Sequence, residues 1–200
     1  MTERARARAI AVAVGSFVAI AVVVLGFWLG GAFEPSQRTD GSFVLDERGV
    51  FQQPLDDVND DTSGDRLPDV VLVDADGGEH SVQELVGRPA VVNLWFSRCI
   101  PCRRELVDFA EVHAEYGDRV RFVGIDPFDT PEAMLEFADE RGVVYDLWRD
   151  PDQEFVDAAG IVGFPVTMFV DADGVVLRQT GEIDAATLRS TIDELFPEDA

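Results

Sequence analysis

The two cysteines of this 200-residue chain, Cys99 and Cys102, are separated only by Ile100 and Pro101. An apolar run over residues 90–96 leads into them, and a polar, helix-like stretch leads out. A thiol pair at the turn from a buried strand to a helix N-terminus suits redox chemistry. The unpaired N–H groups and the helix dipole stabilise a thiolate there, and the thiolate is the nucleophile of disulfide exchange. Cys99, at the open end of the helix, is expected to attack, and Cys102 to resolve. Arg98 adjoins Cys99 and is expected to favour its thiolate. Screening limits exposed charges to about 8–10 Å, so a neighbouring arginine outweighs distant carboxylates.

Glu105 lies three residues after Cys102 on the same predicted helix, so the two side chains share a face. Asn93 on the preceding strand cannot titrate. A partly buried carboxylate with a raised pKa would suit the removal of the Cys102 proton. The competing reading of Glu105 is a helix-end charge, or an ion pair with Arg103 or Arg104 that holds it ionised. Zinc needs about four ligands. Only His80 and His113 could join the thiols, and both read as ordinary, so neither a metal nor another cofactor is expected. A CxxC loop closes too little chain to serve as a structural staple.

Elements that position these residues are legible along the chain. Residues 70–73 read as a strand, followed by a turn at 74–78. Ser81 caps a short helix to Val86, stopped by Gly87 and Pro89. The apolar run at 90–96 reads as a strand covered on both faces. A helix is predicted over 101–116, with Leu106, Phe109, Ala110 and His113 on one face. A strand at 120–125 follows. Thr130 and Pro131 open a helix to about Arg141. Residues 145–148 read as a short strand and 154–159 as a short helix. Strands at 166–170 and 175–180 are joined by a hairpin turn, and Asp184 caps a final helix to Leu195. The alternation predicts an α/β fold with a mixed sheet.

The N-terminus reads as a targeting element. Arg4, Arg6 and Arg8 precede residues 9–33, which carry no charge. As a helix this stretch spans roughly 37 Å, more than the ~30 Å hydrocarbon core. It is also longer than a signal-peptide core of ~7–15 residues, so a single-pass anchor is expected rather than a cleaved leader. The arginines place the N-terminus in the cytoplasm and the domain outside. Residues 34–66 read as an acidic flexible linker, within which 43–51 could pair as a short strand. Residues 67–200 form the globular domain. Net charge is −23, and 38 of the 39 acids lie after residue 33. Such a surface argues against nucleic acid as a partner.

These residues resemble a known family, the membrane-anchored thioredoxins of the TlpA/ResA type. The likeness covers residues 67–196. It includes Leu67-Pro68-Asp69, Gly87-Arg88-Pro89, Asn93-Leu94-Trp95, the Cys99–Cys102 motif with Glu105, and Gly163-Phe164-Pro165-Val166-Thr167. The helix opened by Thr130 matches the insertion that sets this branch apart from plain thioredoxin. The resemblance implies a thioredoxin fold and a cis Phe164-Pro165 bond. It also implies a client groove formed by Ile100, Pro101, Phe164 and Pro165, and supports Glu105 as the proton-handling residue. Arg98 stands where many relatives have tryptophan.

The expected function is a thiol–disulfide oxidoreductase on the outer side of the cytoplasmic membrane. Its client is a protein disulfide or dithiol, and its redox partner is an unidentified membrane-embedded donor or acceptor. The resemblance favours reduction, with apocytochrome c thiols as one target. The alternatives are an oxidase for secreted proteins and a non-redox client- or copper-binding module, for which Met168 is the nearest added ligand. A peroxide-reducing enzyme ranks lower, because Phe96 stands where that class needs threonine.

Overall fold

The computed structural model describes residues 58–198. In chain order these form β1 (Val71–Val73), β2 (Glu79–Ser81), a 3-10 turn (Val82–Leu85), β3 (Ala90–Leu94) and α1 (Ile100–Tyr116). Then come β4 (Arg121–Asp126), α2 (Pro131–Asp139), β5 (Asp146–Arg149), α3 (Glu154–Ala158), β6 (Val166–Val170), β7 (Val176–Thr180) and α4 (Ala185–Leu195). Among the described residues the strands make one mixed sheet, ordered β2-β1-β5-β4-β3-β6-β7. The β3–β4 and β4–β5 pairs are parallel and the others antiparallel.

The central strand explains the continuous apolar run. Val91 and Trp95 pack into the cluster with Leu106 and Phe109 of α1 and Leu188 and Ile192 of α4. Ala90, Val92 and Leu94 pack into a second cluster with Leu72, Leu85, Phe155 and Met168. A strand covered on both faces has no polar side to show. Leu106 and Phe109 are fully buried, a contribution of about 1.5–3 kcal/mol each. Asn93 is the polar exception, on the α1 side of the strand.

Local signals set most element ends. Ser81 and Glu84 complete a capping box. Thr130 accepts from the Ala133 amide with Pro131 in the first turn, and Asp184 accepts from the Thr187 amide. Strand β2 lacks apolar alternation and was not expected from sequence. It forms because Asp74 accepts the amides of Asp76 and Gly78 and folds Glu79-His80-Ser81 back onto β1. His80 then stacks on Trp148 at 5.1 Å.

Residues 58–66 correct the expected linker. They are not a free spacer but are tied along the outer edge of β7. The Gly64 amide donates to Val176 O at 2.7 Å, Val176 N donates to Asp65 O at 2.9 Å, and Leu67 N donates to Gly174 O at 2.9 Å. An exposed sheet edge offers unpaired backbone groups, and this segment satisfies them. The expected anchor at 9–33 and the short strand considered at 43–51 lie outside the described residues. Among the described residues no helix is long and apolar enough to cross a membrane.

Candidate active site

Helix α1 begins immediately after Cys99, whose extended backbone makes it the N-cap. Its Sγ accepts the Cys102 amide at 3.2 Å. The two cysteines are joined by a disulfide, with Cα atoms 5.2 Å apart. Cys99 is 6 % exposed and Cys102 is fully buried, so any approach is to Cys99. Ile100 between them is 70 % exposed, and Pro101 is half-buried. Arg98 is exposed, and its side chain makes no ion pair with a described residue. A helix end of this kind favours a thiolate at the capping cysteine.

The turn before Cys99 is held from another element. Cys99 N donates to Phe96 O at 3.1 Å. Ser97 donates to Asp129 through its amide at 2.5 Å and its hydroxyl at 2.9 Å. Arg103 donates to Ser97 O at 3.2 Å. Asp126 supports this clamp by accepting the Phe128 and Asp129 amides, each at 2.9 Å. Asp126 and Asp129 are both buried. Burial, and then the neighbouring Asp129 carboxyl, push the Asp126 pKa up to about 7. The sequence shows Asp126-Pro127-Phe128-Asp129-Thr130 as a turn-rich stretch, but nothing local in it pointed to Ser97.

Glu105 is 1 % exposed. Its Oε1 accepts Asn93 Nδ2 at 2.9 Å, and its Oε2 accepts the Ile183 amide at 3.3 Å. Burial pushes its pKa up to about 8, against the two hydrogen bonds, with Glu182 and Asp108 adding to the rise. The ion pairs weighed for it are made elsewhere. Arg104 grips Glu182 with two 2.7 Å bonds, and Arg103 lies over the Phe137 ring at 5.3 Å. Glu105 also lines a cleft of about 320 Å3 with Arg104, Asp108 and Glu182. Asn93 donates as well to Thr167 Oγ1 at 3.2 Å.

The Phe164-Pro165 peptide bond is cis. The register Leu94–Val166 sets the start of β6 level with the end of β3, where the cysteine turn departs. Phe164 packs against the cluster that contains both cysteines. Its ring meets Phe96 and Phe128, each at 5.5 Å, and those two meet at 5.0 Å, all edge-on. Phe128 is 45 % exposed. Of the expected groove residues this aromatic collar contains Phe164; Phe96 and Phe128 were not anticipated as part of it. The arrangement can open and reform a disulfide, and it carries a buried carboxyl on the helix of the inner cysteine. Among the described residues no group of three or more His, Cys, Asp or Glu side chains is placed to hold a metal ion.

Known proteins are similar to this chain. The AhpC/TSA family pattern matches residues 63–179. The thiol-disulfide oxidoreductase ResA of Bacillus thuringiensis is 25% identical over 136 residues, covering 67% of this chain and 79% of that protein. A protein of Mycobacterium tuberculosis assigned by name to the peroxiredoxins is 32% identical over 125 residues, covering 62% of this chain and 78% of its own length. The structure of M. tuberculosis DsbF in mixed oxidised and reduced forms superposes with a TM-score of 0.59 at 27% identity. It covers 64% of this chain and 95% of DsbF.

Proposed function

From the premise that this chain belongs to the AhpC/TSA family of thioredoxin-like proteins and is a thiol–disulfide oxidoreductase, we propose that it reduces protein disulfides on the outer face of the cytoplasmic membrane. Residues 1–33 supply the cytoplasmic N-terminus and anchor, and the domain follows outside. In the reduced enzyme the Cys99 thiolate attacks a client disulfide. One client thiolate leaves, and the client stays joined to Cys99. Cys102 then gives its proton to Glu105 and attacks Cys99 Sγ. The second client thiolate departs and the Cys99–Cys102 disulfide closes. A membrane-embedded dithiol donor would reduce it again, and apocytochrome c is one client of the right chemistry.

The observation that carries this reading is Glu105, buried with no ion pair among the described residues, on the helix that the disulfide caps. A carboxyl with a pKa near that of a thiol is matched for proton exchange with it. Glu105 in its ionised form disfavours a thiolate at Cys102, which makes the reduced pair a better electron donor as pH rises toward 8.

Reduced full-length protein in vesicles, given insulin, should precipitate its B chain. A Cys102→Ser variant should accumulate a mixed disulfide through Cys99. A faster reaction with reduced client, together with a potential near those of oxidases, would make it an oxidase. Labelling by a membrane-impermeant thiol reagent in intact cells tests the outward orientation. The relative assigned to the peroxiredoxins supports a second reading, peroxide reduction at Cys99. Phe96 in place of the threonine of that class weighs against it, and peroxide consumption faster than insulin reduction would favour it.

A further inference from the structure

Asn59 belongs to the segment that reads from sequence as linker, yet its side chain ends at the loop before β6. Its Oδ1 accepts the amides of Val162 at 2.7 Å and Gly163 at 2.8 Å. Its Nδ2 donates to Gly163 O at 3.0 Å. The carboxamide thus behaves as a peptide group would in a paired strand, supplying acceptor and donor to one short stretch of backbone. Val162 is 69 % exposed, so apolar burial does little to hold this stretch. Among the described residues the Phe164 backbone has no hydrogen-bond partner, and Pro165 has no N–H to offer.

The segment that presents Asn59 is itself fixed. Gln179 Nε2 donates to Asp60 O at 2.8 Å, and Thr62 donates to Gln179 Oε1 at 2.6 Å. The close approach at the end of α3 depends on Gly160. Its φ is +64°, and a Cβ there would lie 3.0 Å from Asp60 Oδ2. The segment is therefore bound to β7 through Asp60 and Thr62, and to the loop before β6 through Asn59.

We propose that Asn59 is a positioning residue for client exchange. By occupying the Val162-Gly163 backbone it fixes the loop and leaves the Phe164 backbone free for an extended client segment to pair with. This rests on the reading of the Phe164-Pro165 loop as the client groove. Because residues 58–66 continue into residues 1–57, the groove is also tied to the segment leading to the N-terminus.

The test compares full-length wild type with Asn59→Ala and Asn59→Asp, using insulin as protein client and a small aromatic disulfide as reference. Asn59→Ala should lower kcat/KM for insulin about tenfold, mainly through KM, while the small disulfide reacts within about twofold of wild type. Hydrogen exchange at the Val162 and Gly163 amides should accelerate at least about tenfold. Asn59→Asp keeps the acceptor and loses the donor, so its loss should be smaller than that of Asn59→Ala. Unchanged exchange at both amides would overturn the positioning role, as would equal losses with both substrates alongside a lower Tm. Accelerated exchange with unchanged insulin kinetics would instead remove the groove reading, which an inert Phe164→Ala would confirm independently.

Discussion

Ser97 is held to Asp129 by two hydrogen bonds, from its amide at 2.5 Å and its hydroxyl at 2.9 Å. The turn before Cys99 is thereby fixed by a loop from a different strand. Asp126 stands directly behind Asp129, and its Oδ2 is buried with no donor among the described residues. A proton on Asp126 gives this oxygen a role and relieves the repulsion between the two acids. The folded pKa, near 7, lies above the ordinary 3.8. The sign follows from that order: stability tied to protonated Asp126 is full below about pH 4 and is lost as pH rises toward 7. Asp126→Asn should remove that decline, so the variant gains on wild type between pH 5 and pH 8 in denaturant melts. Parallel profiles for the two proteins would remove the raised pKa.

Glu105→Gln keeps the shape but cannot titrate, and its single oxygen accepts only one of the two hydrogen bonds that Glu105 accepts. It should slow the resolving step about a hundredfold at neutral pH, read as slower decay of the mixed disulfide. The folded pKa of Glu105, about 8, is also raised above its ordinary 4.5. The associated stability is present below about pH 4.5 and lost as pH rises through 8, a window that extends above that of Asp126. Glu105→Gln should therefore flatten the profile between pH 7 and pH 9. An unaltered resolving rate would leave Glu105 as a buried structural acid.

Phe128 contributes the half-exposed edge of the aromatic collar. Phe128→Ala should cost about 0.5–1.5 kcal/mol of stability through the lost ring contacts. It should also raise KM for insulin several-fold while the small disulfide is unaffected. Equal kinetics with both substrates would place the client elsewhere.

The domain boundary can be mapped by truncation. Removing residues 1–57 should leave a folded, active domain, because the ties of this segment to the domain begin at Asn59. Removing residues 1–66 deletes those ties, each worth about 1 kcal/mol net. It should lower Tm by many degrees and loosen the Val162-Gly163 loop. Equal melting of the two truncations would return residues 58–66 to the status of a spacer.

By itself the sequence determined the redox pair, its place between a buried strand and a helix, the helix caps at Ser81, Thr130 and Asp184, and the closing hairpin. Each of these is written within a few residues, in apolar periodicity, a side-chain oxygen before a helix, or a turn. The polar strand β2 escaped because it carries no such period and exists only as a partner to β1. Glu105 was legible as a candidate, but its state was not. Whether Arg103 and Arg104 neutralise it depended on Glu182, 78 residues from Arg104. Asn59 and Gly163 are 104 residues apart, and Ser97 and Asp129 are 32 apart. Tertiary structure alone decided these, because a hydrogen bond between distant residues is set by how strands and loops pack around the sheet, and no local pattern of residues encodes which polar group will meet which.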